Sequence, residues 1–152
     1  MTATKYTSFM GEALELANAA ISVGEVPVGA VVVKNDQIIG RGHNRTRIDH
    51  DPTAHAEIVA IREATQLLGK DRLDNCDLWV TLEPCTMCAG AIAHARLRRL
   101  YYGAEDSKGG AVDSGVQFFE SPTCHHKPEV YAGLEEEKSA KLLLDFFRSR
   151  RD

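Results

Sequence analysis

Long apolar runs are missing from this chain. No stretch reaches the roughly 18–20 residues that a helix needs to cross a bilayer. The first residues lack the basic segment and apolar core of a secretory leader, so neither membrane association nor export is expected. Cysteine is scarce: Cys76, Cys85, Cys88 and Cys124 are the only four among 152 residues. That is too few for a disulfide scaffold, and a reducing, cytoplasmic location is the expectation. An excess of positive charge is also absent. The net charge of −4 argues against a surface coated for sequence-independent nucleic-acid binding. Local patches remain open at Arg41, Arg45 and Arg47, at Arg96, Arg98 and Arg99, and at Lys138, Lys141, Arg148, Arg150 and Arg151; each group reads equally well as a solvated face. Repeats, low-complexity tracts and linkers are lacking too. What is present, 43% hydrophobic and 26% charged residues, is ordinary for a globular protein. Residues 1–152 are therefore read as a single domain with one core.

Periodicity orders the elements. Phe9, Met10, Ala13, Leu14, Ala17, Ala20 and Ile21 recur at helical spacing, which predicts a helix over 7–23. Residues 28–33 read as a buried strand, Asn35-Asp36 as a turn and 37–42 as the second arm of a hairpin. A polar loop over 45–52 leads to a helix over 54–68, with Gly69 as its stop. A strand over 77–82, a helix over 85–95 and a strand over 99–102 follow. Residues 106–121 are loop-rich, 129–131 form a last short strand, and 135–150 form an amphipathic helix presenting Leu142, Leu143, Phe146 and Phe147. This order predicts an α/β layered fold with helices on the faces of one mixed sheet: an antiparallel opening hairpin, then a right-handed parallel crossover.

The chemistry concentrates at two helix starts. Cys85 and Cys88 lie three positions apart after Pro84, on one helix face, where the positive end of the helix favours thiolates. Such a pair is a redox couple, half of a structural zinc site, or two of three ligands of a catalytic metal. The second start, Pro52-Thr53-Ala54-His55-Ala56-Glu57, offers an imidazole and a carboxylate in one turn. Both starts belong at the carboxyl end of a sheet, where ligands of open α/β folds collect. His55, Cys85 and Cys88 around one zinc ion would leave a fourth position for water, with Glu57 free to move protons.

His-x-Glu followed by Pro-Cys-x-x-Cys is the known signature of zinc-dependent nucleobase deaminases. The likeness extends along Glu25-Val26-Pro27-Val28-Gly29-Ala30, Asp51 to Glu57, Val80 to Cys85, Tyr102 to Lys108 and Asp145-Phe146-Phe147-Arg148. On these stretches the chain resembles the bacterial tRNA-specific adenosine deaminases of the TadA type, in the cytidine/deoxycytidylate deaminase superfamily. The resemblance implies a three-layer α-β-α, cytidine-deaminase-like fold with a mixed, mostly five-stranded sheet. It implies hydrolytic deamination of adenosine to inosine at the wobble position of a tRNA anticodon by zinc-activated hydroxide. His55, Cys85 and Cys88 would hold one Zn2+ per chain, and Glu57 would be the catalytic proton shuttle. Ala56, Pro84 and Cys85 would frame the reacting centre. Val28, Asn44, Asp106 and Phe147 would meet the anticodon stem-loop, Asp106 through a ribose 2′-hydroxyl. A homodimer is implied too, with the apolar helix 85–95 around Ile92 as its contact surface.

Plainer readings stand beside these. Val28 fits a core position, Asn44 a turn, Asp106 a cap and Phe147 helix packing. Thr123-Cys124-His125-His126 departs from the family's variable segment; a ligand from it would close the metal site and leave Glu57 without a task, so a surface loop near the anticodon is expected. Thioredoxin-like redox chemistry or a structural zinc role uses the cysteines but not Glu57. Within the deaminases, the rival is an enzyme acting on a free nucleobase or nucleoside such as guanine or cytosine, because fold and metal do not select the substrate.

Overall fold

The computed structural model describes residues 7–150. Helix α1 spans Met10–Ser22, β1 Gly29–Lys34 and β2 Gln37–His43. Asn35 and Asp36 between the two strands both have positive φ, 50° and 61°. That backbone suits a two-residue hairpin turn matched to strand twist. Helix α2 (Ala56–Leu68), β3 (Asp77–Leu82), α3 (Thr86–Ala95) and β4 (Arg99–Ala104) follow, then a 3-10 turn at Phe118–Glu120, β5 (Glu129–Tyr131) and α4 (Glu136–Ser149). The strand order is β2-β1-β3-β4-β5. β1 runs antiparallel to both β2 and β3, whereas β3, β4 and β5 are parallel.

The sheet is covered on both faces, which explains the unbroken Val31-Val32-Val33 run. Ala30, Val32, Leu78, Val80, Leu100 and Tyr102 pack with the alanines of α2 and with Ala89 and Ile92 of α3. The alternate residues Val31, Val33, Trp79 and Tyr101 face Met10 and Ala13 of α1, and α4 joins α1 on that side. The expected three layers are present.

Three boundaries differ from the periodic reading by two residues or more. α1 begins at Met10 rather than Thr7, behind Ser8, whose hydroxyl accepts the Met10 amide. α2 begins two residues late because Asp51 accepts both the N–H and the O–H of Thr53 (2.9 and 2.7 Å), which holds the preceding turn. β4 runs on to Ala104, whose carbonyl accepts the amide of Glu83.

Glycines set how closely α2 rides on the hairpin. A Cβ on Gly42 would sit 2.5 Å from the Ala56 carbonyl oxygen and 2.8 Å from Val59 Cβ. This approach fixes the first turn of α2, which carries Glu57. Gly42→Ala is expected to destabilise the protein by about 1–3 kcal/mol through overpacking, read as a lower urea midpoint with an unchanged slope.

Candidate active site

His55 and Cys85 are the N-cap residues of α2 and α3, both extended (φ −74°, ψ 157° and φ −76°, ψ 178°), and neither side chain caps its helix. The two side chains turn toward each other instead. His55 Nδ1 lies 3.6 Å from Cys85 Sγ and 3.5 Å from Cys88 Sγ. Among the described residues these three form the only His/Cys/Asp/Glu group of three or more whose ligand atoms all lie within 4.8 Å of one another. Two ligands of one tetrahedral zinc, with bonds of about 2.0–2.1 Å to nitrogen and 2.3 Å to sulfur, stand about 3.6 Å apart. The donor set and spacing fit that ion.

The thiol of wholly buried Cys88 is raised, first by its bond to Cys85 and then by burial. Cys85 is pushed down to about 4, first by that bond, against burial and with further help from His55. The imidazole of His55 is raised by its bond to Cys85. A second thiolate here needs a cation beside it, which is what a metal supplies.

Glu57 is 4% exposed. Burial raises its carboxyl from 4.5 to about 7, against its own backbone N–H and His55. It lines a cavity of about 390 Å³ together with His55, Cys85, Val28, Asn44, Ala56 and Asp106. Pro84 is buried behind this wall, its carbonyl accepting the Ala111 amide at 2.9 Å. Phe147 stands outside, 48% exposed. It lines a neighbouring groove of about 840 Å³ beneath α4 that shares Val26, Leu82 and Asp106 with the first cavity. Asp106 also makes the turn expected of a cap: its Oδ1 accepts the amides of Lys108 and Gly109 at 3.1 and 3.0 Å.

Two buried carboxylates escaped the sequence reading. Glu25, 1% exposed, accepts the amides of Arg47 and Ile48 and the Asn44 side-chain amide. It thereby holds the loop over one side of the cavity. Glu83, 2% exposed, holds the loop on the other. The available signal was an acid one or two positions before a proline, beside apolar residues, in Glu25-Val26-Pro27 and Leu82-Glu83-Pro84. Thr46 and Gly109 also line the cavity.

Cys124, His125 and His126 stay out of the metal cluster. His126 Nε2 lies 2.6 Å from the Leu97 carbonyl, Cys124 Sγ donates to the His126 carbonyl, and Arg96 donates to that of His125. The loop is pinned to the end of α3, and among the described residues the cluster has three potential ligands. One expectation is corrected. Ile92 is 0% exposed and packs into the core of its own chain, so it forms no contact surface. Lys138 and Lys141 pair with Glu135 and Asp145 at 3.3 and 2.6 Å on the exposed face of α4. Arg151 lies outside the described residues.

The MafB19-like deaminase family profile matches residues 4–151. A tRNA-specific adenosine deaminase of Agrobacterium fabrum is 59% identical over 145 residues, 95% of each chain. The chain belongs to the tRNA-specific adenosine deaminase family. A solved structure from work on A-to-I editing by tRNA:A34 deaminases at the wobble position superposes with a TM-score of 0.88 at 60% identity, covering 89% of this chain and 98% of that one. The five-stranded mixed sheet between helices is thus the cytidine-deaminase-like fold of that family. A guanine deaminase from Nitrosomonas europaea shares it at 28% identity and a TM-score of 0.78, over 90% and 81% of the two chains.

Proposed function

We propose that this chain is a single zinc-dependent deaminase domain that converts adenosine to inosine at the wobble position of a tRNA anticodon. One observation favours a polynucleotide over a free base. The cavity holding Glu57 shares a wall with a groove about twice its size. A free base needs only the first; flanking nucleotides use the second. Phe147 offers a stacking face there, and Lys108 and Arg150 offer charge for phosphates.

Zinc held by His55, Cys85 and Cys88 supplies Lewis acidity, which makes water nucleophilic at neutral pH. The remaining steps belong to side chains of the chain. Val28 and Ala56 contact the flipped-out base, and Asn44 the target nucleotide. Glu57 takes the proton that water gives up, passes it to the adenine ring nitrogen, and then carries the proton of the hydroxyl newly added at C6 to the departing amino group, leaving a C6 carbonyl. Water adds at C6, ammonia leaves and inosine remains. Burial, which favours the protonated form of its carboxyl, suits Glu57 to both accepting and donating a proton. Asp106 meets a neighbouring ribose, and Pro84 backs the reacting centre.

A homodimer completes the reading. Without Ile92, the outer side of α3 retains the half-buried Met87, Gly90 and Ala91. Light scattering is expected to give twice the monomer mass; the monomer mass would overturn the dimer. A tRNA-modifying role also fits a cytoplasmic location; no helix among the described residues is long and apolar enough to span a membrane.

The test offers zinc-loaded protein a tRNA bearing wobble adenosine and, in parallel, free guanine, cytosine, adenosine and cytidine. Inosine in the tRNA alone supports the proposal. Ammonia from a free base with the tRNA untouched overturns it. In the same assay Asp106→Ala is expected to lower kcat/KM on RNA about 10-fold or more at full zinc content. Unchanged RNA kinetics would leave Asp106 as a turn residue only.

A further inference from the structure

Glu83 sits between Leu82, which lines the cavity, and the Pro84-Cys85 start of α3. Its carboxylate gathers one loop. One oxygen accepts the Asp106 amide at 3.0 Å and the Ser114 hydroxyl at 2.9 Å. The other accepts the amides of Val112, Asp113 and Ser114 at 3.0, 2.9 and 2.9 Å. Burial raises the carboxyl, but these donors outweigh it and hold it below its usual range. The loop lies so close that a Cβ on Gly110 would stand 2.5 Å from the Glu83 carboxyl carbon. The Pro84 carbonyl takes the Ala111 amide as well. Segment 106–114 is therefore wound around an anion attached to the helix that presents Cys85 and Cys88. That segment carries Asp106 and Gly109, both in the cavity wall.

We propose that Glu83 is a positioning residue: through the Asp106 amide it sets the wall that grips RNA beside the target base. The substrate in this statement rests on the function proposed above; the latch itself does not. Glutamine at this position tests the idea selectively, because it has one acceptor oxygen. Facing Val112, Asp113 and Ser114, that oxygen keeps three bonds and aims the amide NH2 at the N–H of Asp106. The flipped rotamer opposes three donors. Glu83→Gln thus frees Asp106 first.

The experiment compares wild type, Glu83→Gln and Gly110→Ala, the last prying the loop away without altering the carboxylate. Zinc content, hydrogen exchange at the Asp106 amide and kinetics on an anticodon stem-loop are measured. The expected result is full zinc, KM raised about 10- to 100-fold, kcat within about twofold, and faster exchange at Asp106 with the Val31 amide in the sheet unchanged. Exchange accelerating throughout the sheet, or zinc and kcat falling at constant KM, would make Glu83 a general fold or metal-site residue and overturn the proposal. If Glu83→Gln does not fold, Gly110→Ala carries the same comparison. If wild type ignores the stem-loop, the substrate reading fails separately. Exchange at Asp106 then decides the latch, and KM is read on whichever free base is turned over.

Discussion

Glu57→Ala is expected to keep its zinc and lose about 10²–10⁴-fold in turnover. The carboxyl is buried in the cavity wall and is not one of the clustered metal-ligand atoms. Its removal leaves the imidazole and both sulfurs in place. What disappears is the proposed proton carrier, and the other two carboxylates lining the cavity are engaged with loop amides. Glu83 is committed to the 106–114 loop, and the Oδ1 of Asp106 is committed to the amides of Lys108 and Gly109. Metal analysis beside single-turnover inosine formation checks this. Near wild-type turnover would remove Glu57 from the mechanism, and loss of zinc would place it among the ligands.

The second large effect is expected from Cys88→Ala: zinc falls to background, deamination stops and the melting temperature drops. Cys88 is wholly buried, and its sulfur lies 3.5 Å from His55 Nδ1. A metal bound there would join the first turns of α2 and α3 through it. Binding free energy at such a site is also folding free energy. Wild-type protein stripped with a chelator should therefore lose most of the same stability. Calorimetry of the two, with and without added zinc, makes the comparison. Zinc should restore wild type and leave the variant unchanged. Full zinc occupancy in Cys88→Ala refutes the ligand assignment.

Much of the fold was legible before any coordinates. β3 and β5 span the residues expected of them, and Gly69, in the left-handed conformation at φ 69°, ends α2 as its position promised. The misses at α1, α2 and β4 have local causes: a serine hydroxyl, an aspartate-threonine turn and one added strand pairing compete with periodicity at the ends. The His55 and Cys85-Cys88 pairing was legible because each half sits on a recognisable helix start. Glu25 and Glu83 were not, since a buried anion and a solvated one are spelled alike in sequence. Only the amides that surround them separate the two. Ile92 shows the converse: its apolar character was plain, but whether it faced its own core or a partner was not.

By itself the sequence determined the alternation of strands and helices, the hairpin turn and the residue types able to hold a soft metal. These depend on neighbours within a few positions, where spacing and side-chain chemistry act directly. Tertiary structure decided which groups meet. It brought His55 against sulfurs 30 and 33 positions away, pinned the Cys124 loop to the end of α3 and set Phe147 beside the cavity rather than in it. It also turned Glu83 into the hub of a loop whose amides lie 23 to 31 positions downstream. Convergence of that kind depends on how closely helices ride on the sheet and on which donors burial leaves to each acceptor, and neither is written in any local pattern.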